Sequence, residues 1–325
     1  MRLLADCPKA APTPLVDDAR LAGAAGVASL WVKDERERMG LGSFKALGAA
    51  YVIARDARAR PDGRLEGVTY VAASAGNHGL SLAAGASAFG ANAIVFIAES
   101  VPDVFARRLA AAGAEVVRRG STYEESMAAA ADAAEASGWS LLSDSSWPGY
   151  VDVPRRVMEG YLAMGAEIVD QLGDGKAPTH VFLQAGVGGM AAAMAGFVRE
   201  VWGDNPRVVV VEPEIARPLL ESIRAGEPVR AEGAVSVMGR LDCKETSHVA
   251  LGALARWADV FVTVTDIEVI ETCEWLSGHD LVTSPSGGAG LAALRHGDRD
   301  ALGLDAASRV LAIITEASPE ESHGH

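Results

Sequence analysis

The sequence predicts a two-domain α/β protein with parallel sheets flanked by helices, on three observations. Apolar runs of strand length alternate with longer helical stretches along most of the 325 residues, a length that suits two domains. The strand-like runs, such as VTYVAAS, RVVVVEP and RVLAIIT, are continuously apolar, as strands buried on both faces are. Glycines and small polar residues collect just after these runs, where open parallel sheets bind their ligands.

Taken in order, SLWVK (29–33) reads as a strand, followed by charged DERER, a GLGS turn and a helix that starts near Phe44 and continues through ALGAAYVIARDARA. PDGRLEG is a turn-rich loop. VTYVAAS (68–74) is a buried strand, AGNHG a turn and LSLAAGASAFG a helix. NAIVFIAE (92–99) is a strand, and VPDVFARRLAAAG is a helix with Gly113 as its C-cap. EVVRR is a strand, STYEESMAAAADAAEASG a helix opened by a capping box of Ser121 and Glu124, and SLLSD (140–144) a strand. WPGYVDVP (147–154) breaks the pattern and reads as the linker. The second half repeats the scheme: PRRVMEGYLAMGAEIVDQLG is a long amphipathic helix, THVFLQA a strand and GGMAAAMAGFVREVW a helix. RVVVVEP, DVFVTVT (259–265) and RVLAIIT (309–315) are three further strands.

The formal charge of −14, from 43 acidic and 29 basic residues, argues against a nucleic-acid partner. Cys7, Cys243 and Cys273 form neither a disulfide framework nor a zinc pattern, which fits a reducing compartment. MRLLADCPKAAPTPL lacks the apolar core of a signal peptide, and no run approaches the roughly 20 apolar residues of a membrane span. A soluble cytoplasmic protein is therefore expected, with no membrane partner and a homodimer as the default assembly. No metal site is expected. His180 and His248 lack partners at ligand spacing and read as surface or capping groups, and His323 and His325 of the polar tail face solvent.

Two stretches carry candidate chemistry. In GLGSFKALGAA (40–50), Lys45 lies between Phe44, Ala46 and Leu47, a partly desolvated setting that lowers an amine's pKa and frees it to form a Schiff base. Taken alone it reads as a surface lysine in a first helical turn. In AGVGGM (185–190), glycines at the mouth of a strand let the backbone approach an anion, and the amides of the following helix point at it. That turn has neither the Lys-Ser/Thr ending of a triphosphate loop nor the third glycine of GxGxxG, and alone it reads as plain packing. Together with SAGNHG (74–79) and SPSGGAG (284–290), the two point to pyridoxal phosphate.

In these segments the chain resembles the fold type II pyridoxal phosphate enzymes, which include threonine and serine dehydratases and tryptophan synthase β. The resemblance implies a large cofactor-binding domain built from residues 1–48 and 151–325 and a small mobile domain of residues 49–150. It implies that Lys45 bonds covalently to pyridoxal 5′-phosphate and that Asn77 hydrogen-bonds the cofactor's 3′ oxygen. The amides of Gly186, Val187, Gly188, Gly189 and Met190 would bind its phosphate. Thr315 would face the pyridine nitrogen with a neutral hydroxyl, which favours β-elimination. The backbone of Ser74, Ala75, Gly76, Asn77 and His78 would hold the carboxylate of a small amino acid substrate.

Within that family, LGSFKALGAAYVIA, LLSDSSWPGYVDVPRRVMEGY, THVFLQAGVGGMAAAMAGFV, VVVEPEIA and SPSGGAGLAAL are similar to the diaminopropionate ammonia-lyases. The run of Asp144, Trp147 and Tyr150 is the most distinguishing part. This resemblance implies α,β-elimination from a small L-amino acid, foremost 2,3-diaminopropionate to pyruvate and ammonia. Lys45 would take the Cα proton and Asp144 would receive the β-ammonium. Two departures stand out. Ala75 occupies the position of the lyases' aspartate, thought to serve the D-isomer, and MGRLDCKETS (238–247) replaces a spelling with glycine and proline. Because SAGNHG is also the dehydratase spelling, dehydration of L-serine, L-threonine or another β-hydroxy amino acid is the alternative. A non-catalytic nucleotide-binding module is the remote one. Structural readings stand beside several functional ones: His78 as a ring packed on its loop, Asp144 as a helix cap, Glu212 as the holder of a turn and Cys243 as a buried thiol.

Overall fold

The computed structural model describes residues 9–318, so Cys7, His323 and His325 lie outside the described residues. The first half runs β1 (Leu15–Asp17), α1 (Ala19–Ala25), β2 (Ser29–Asp34), a 3₁₀ turn (Arg38–Gly40), α2 (Ala46–Arg58), β3 (Thr69–Ala73), α3 (Asn77–Phe89), β4 (Asn92–Ile97), α4 (Asp103–Ala111), β5 (Glu115–Arg118), α5 (Tyr123–Ser137) and β6 (Ser140–Leu141). The second half runs α6 (Asp152–Leu172), β7 (His180–Gln184), α7 (Gly189–Trp202), β8 (Arg207–Pro213), α8 (Pro218–Ala225), α9 (His248–Trp257), β9 (Val260–Val264), α10 (Asp266–Ser277), α11 (Pro285–His296), α12 (Arg299–Leu302) and β10 (Arg309–Ile314).

The strands form a six-stranded sheet in the order β1-β2-β10-β7-β8-β9 and a four-stranded sheet in the order β5-β4-β3-β6. Every pairing is parallel except that of β1 with β2, which is antiparallel with Leu15 opposite Lys33. Apart from β1 the sheets are thus parallel and flanked by helices, and the three residues LVD of β1 leave no periodicity to read in the sequence. The last strand lies at the centre of its sheet, with Val310 opposite both Leu30 and His180. Its carboxyl end therefore emerges beside the ends of β2 and β7.

Continuous apolar strands follow from burial on both faces. In β4, Ala93, Val95 and Ile97 join the core around Leu47, Ile53, Tyr161 and Met190, whereas Ile94 and Phe96 pack with Ala130 and Ala134 of α5. Likewise Leu311 and Ile313 point to that central core, while Val310, Ala312 and Ile314 face Leu30, Phe182 and Leu291. Helix α6 lies close against α2: a β-carbon on Gly160 would sit 2.4 Å from the Leu47 carbonyl oxygen.

Four local readings need correction. The N-cap of α5 is Thr122, whose hydroxyl accepts from Glu125 N at 3.2 Å, and it is the Glu125 carboxylate that reaches back to Ser121 N at 2.6 Å. The box is thus one residue later than Ser121 and Glu124. Helix α4 is capped by Ala112, and Gly113 follows it at φ 100°, the left-handed region that glycine tolerates. Strand β6 stops at Leu141, because the Tyr150 hydroxyl donates to the Leu141 carbonyl and accepts from Ser143 N, drawing the chain out of the sheet. His180 is buried in β7, with ring nitrogens bonded to Thr179 Oγ1 and the Leu302 carbonyl, and is no surface group. Among the described residues no helix is long and apolar enough to cross a membrane.

Candidate active site

The turn before α2 is laid across the end of β10. Phe44 N donates to the Thr315 carbonyl at 3.1 Å, Ala317 N donates to that of Gly42 at 3.0 Å, and Ser43 bridges Glu316. Gly40 and Gly42, at φ 68° and 79°, give the backbone the left-handed steps this turn needs. Lys45 thus leaves the turn as the N-cap of α2, anchored to the segment that follows the central strand. Its Nζ is paired with Asp144 Oδ2 and lies 5.5 Å from the centre of the Phe44 ring. Burial pushes the ammonium toward deprotonation, but the Asp144 carboxylate, aided by Tyr161, outweighs it and holds Lys45 above its ordinary range. The sequence-based expectation of a lowered pKa is therefore reversed.

Asp144 sits on the loop beyond β6, where Trp147 and Tyr150 stack at 4.4 Å in a tight turn. It caps no helix; α6 begins after Val151. Burial opposes its charge, yet Lys45 and His78 hold its carboxyl well below the usual range. Ser146 continues the same loop, and its hydroxyl meets that of Ser247 at 2.7 Å. Ser247 N in turn donates to the Val187 carbonyl, so the Asp144 loop and the glycine turn are tied together.

The loop after β3 brings Ser74, Ala75, Gly76, Asn77 and His78 to the same place. Gly76 N donates to Ser74 Oγ, and Gly76 caps α3 without a side-chain cap. Asn77 Nδ2 donates to Glu316 Oε2 at 2.5 Å, and the His78 ring is buried, with Nε2 on the Leu142 carbonyl at 2.7 Å. His78 is therefore held as a packed ring that braces the strand leading to Asp144. Ala75 is partly buried against the central core.

The glycine turn closes the site. A β-carbon on Gly186 would stand 2.9 Å from Cys243 Sγ, and Gly188 at φ 98° caps α7 with no side-chain cap. Gly189 and Met190 form the buried first turn of that helix. Thr315 is buried at the end of β10, its hydroxyl 3.4 Å from Gln184 Nε2. Cys243 lines the turn, and burial pushes its thiol up to about 11. Glu212 lies elsewhere, accepting from Leu219 N and Leu220 N and so holding the turn into α8. His248 is the first residue of α9, and among the described residues no three His, Cys, Asp or Glu side chains group as a metal site.

Three further residues face this space. Tyr161 stands edge-on to Phe44 at 5.0 Å, its buried hydroxyl has no hydrogen-bond partner among the described residues, and burial pushes it up to about 12. The Arg240 guanidinium lies against Gly76, where a β-carbon would be 2.5 Å from Nη1. Glu316 links Asn77 to Ser284. Only Arg240 has a signal in sequence, as the arginine in the departing MGRLDCKETS segment; Tyr161 looks like an amphipathic helix position and Glu316 like a polar residue after a strand.

The residues present fit pyridoxal phosphate. They bring together a partly buried primary amine, an uncapped helix start behind a tightly packed glycine turn, a hydroxyl just past the central strand and a buried phenol without a hydrogen-bond partner among the described residues. A family model for pyridoxal-phosphate dependent enzymes matches residues 8–316. A diaminopropionate ammonia-lyase of Escherichia coli (strain K12) is 30% identical, with 96% of this chain and 86% of that protein covered. The crystal structure of the Escherichia coli diaminopropionate ammonia-lyase in complex with an aminoacrylate-PLP azomethine reaction intermediate superposes with a TM-score of 0.90 at 29% identity, covering 99% of this chain and 88% of that chain. The crystal structure of a T.th. threonine deaminase superposes with a TM-score of 0.82 at 28% identity, covering 98% of this chain and 95% of that chain. The chain accordingly belongs to the pyridoxal-phosphate dependent enzymes, and pyridoxal 5′-phosphate is its cofactor.

Proposed function

We propose that this protein is an ammonia-lyase that eliminates the β-amino group of L-2,3-diaminopropionate, giving pyruvate and ammonia. The observation that carries the reading is Asp144, a partly buried carboxylate paired with Lys45 Nζ. Pyridoxal phosphate, when bound, supplies the electron sink that makes the Cα proton acidic and lets the β-substituent leave. The protein's own groups do the rest. The backbone of Ser74 to His78 receives the substrate carboxylate, and the amides of Gly186 to Met190 receive the phosphate. Asn77 would offer the ring an amide N–H and Thr315 a hydroxyl.

Asp144 then exchanges one cation for another. The substrate's β-ammonium takes the place of Lys45 Nζ on its carboxylate, which orients the leaving amine and favours its departure as ammonia. Lys45, deprived of the counter-charge that raised its pKa, returns toward the lowered value that burial imposes and holds the Cα proton at Nζ. A β-hydroxyl substrate has no cation to exchange, so the site favours a diamino acid. Ala75 puts a methyl in the loop, which supports activity on the L-isomer alone.

The same reading extends to the larger scale. Residues 49–150, which contain the four-stranded sheet, would close on the substrate as a small domain against residues 1–48 and 151–325, excluding water from the Lys45 and Asp144 pair. The assembly is a homodimer in the cytoplasm, with a small-molecule substrate and no nucleic-acid or membrane partner.

The test is the ratio of ammonia to 2-oxo acid released from L-2,3-diaminopropionate by the cofactor-loaded protein, with L-serine and L-threonine alongside. Two ammonia per pyruvate, with little turnover of the hydroxy amino acids, is expected. Lys45→Ala should abolish turnover, and Asp144→Asn should lower kcat/KM on diaminopropionate by roughly a hundredfold while affecting L-serine less. Silence on diaminopropionate with rapid turnover of L-serine or L-threonine would make the protein a dehydratase.

A further inference from the structure

We propose that Glu316 is a positioning residue that fixes the side-chain amide of Asn77, and through it the hydrogen bond available to the cofactor's ring oxygen. The inference rests on the cofactor site proposed above, in which Asn77 serves that oxygen. Glu316 follows directly on Thr315 and is buried. Its Oε2 accepts from Asn77 Nδ2 at 2.5 Å, and its Oε1 accepts from Ser284 Oγ at 2.5 Å. Its backbone is held as tightly: its carbonyl accepts from Thr283 Oγ1 at 2.6 Å, and the residue bridges Ser43, close to Lys45. The nearest cation is Arg240, whose Nε lies 3.9 Å from Oε2.

An asparagine amide has one accepting and one donating end. Turned the other way, Asn77 would set Oδ1 against Glu316 Oε2, lone pair against lone pair. The carboxylate therefore selects one of the two orientations, with Nδ2 toward the end of β10. One N–H of that nitrogen is spent on Glu316, and the second is left to donate. A carboxylate does this where a glutamine would not, since a glutamine amide can itself rotate and accept or donate. Glu316 also ties the two sheets together, because Asn77 begins α3 of the four-stranded unit while Glu316 lies two residues beyond the central strand of the other.

The test uses the full-length protein, titrated with pyridoxal phosphate and followed by its absorption spectrum across pH, for wild type, Glu316→Gln, Glu316→Asp, Asn77→Ala and the Glu316→Gln, Asn77→Ala double variant. Loss of a donor to the cofactor's ring oxygen changes which protonation state of the bound chromophore absorbs, a readout that mere loosening of the fold does not move. We expect Glu316→Gln to reproduce the spectral shift of Asn77→Ala and to weaken cofactor binding on the order of tenfold. The double variant should be no worse than Asn77→Ala alone. Glu316→Asp, which keeps the charge but shortens the side chain, should give a smaller shift in the same direction. Wild-type spectra and affinity in both Glu316 variants, or effects that add to those of Asn77→Ala, would overturn the assignment. If Asn77→Ala itself leaves spectrum and affinity unchanged, the cofactor role of Asn77 is wrong and the inference falls with it; a normal Asn77→Ala response with silent Glu316 variants condemns the inference alone.

Discussion

At the residue scale, burial and partners compete, and the sign of the result depends on which partner is present. Lys45 is in the apolar setting that its neighbours suggest, yet it is held above its ordinary pKa because Asp144 lies against it. Glu212 shows the opposite balance. It is fully buried, and burial pushes its carboxyl up to about 8 although the amides of Leu219 and Leu220 oppose that rise. A carboxyl raised in the folded state binds its proton more tightly there than in the unfolded chain. Its contribution is complete below the ordinary glutamate range and is lost as pH rises toward 8. Between about pH 5 and pH 8 the wild type should lose on the order of a few kcal/mol from this group. Glu212→Gln, neutral throughout, should show a flatter dependence of urea-unfolding free energy on pH, whatever its cap costs at a single pH. Equal slopes in the two proteins would refute the assignment.

At the scale of elements, helix faces and caps decide what can approach. The α2 and α6 contact depends on glycines: a β-carbon on Gly48 would stand 2.8 Å from the Tyr161 ring, and one on Gly160 would stand 2.4 Å from the Leu47 carbonyl oxygen. A backbone oxygen cannot rotate away, so Gly160→Ala should force the helices apart and destabilise the protein by roughly 1–3 kcal/mol. Because Lys45 leads into α2, the same variant should also bind pyridoxal phosphate more weakly. Gly23→Ala in α1, where nothing lies within 4 Å of the new carbon, is the control and should stabilise by about 0.4–1 kcal/mol. Chemical denaturation measures both, and a Gly160→Ala protein as stable as wild type would mean that the helices have slack that their spacing does not suggest.

At the scale of the whole molecule, the two sheets are joined through polar contacts as well as through a shared apolar core. Under β2 lies a buried network in which Arg38 pairs with both Glu35 and Glu167, and Lys33 pairs with Glu167 at 2.7 Å. Thr13 completes it from the segment before β1, donating its hydroxyl to Glu35 at 2.6 Å. Two cations meet two anions, so the cluster is balanced only as a unit. Glu167→Gln would leave Lys33 and Arg38 with a single carboxylate between them and should cost about 3–5 kcal/mol in chemical unfolding. The loss should fall on the seam between β2 and α6, visible as faster hydrogen exchange there than in the four-stranded sheet. A loss below about 1 kcal/mol would mean that water or a rearranged partner satisfies both cations.

What the sequence determined on its own were the properties that act over short range. Continuous apolar strands, helical periods, the glycine turn at Gly186 to Gly189 and the small neighbours of Lys45 all follow from residues next to one another. The order of those segments was enough to reach the family. Where the signal was one residue wide, as in the choice of Thr122 over Ser121, the helix cap slipped, and three residues were too few to reveal β1. The tertiary structure decided everything that depends on a distant partner. Asp144 meets Lys45 across 99 positions, Arg38 meets Glu167 across 129 and Glu316 meets Asn77 across 239. The last of these pairings exists because the final strand inserts at the centre of its sheet and brings the end of the chain beside its beginning. Electrostatic sign and hydrogen-bond orientation are set by those neighbours in space, and no local pattern encodes them.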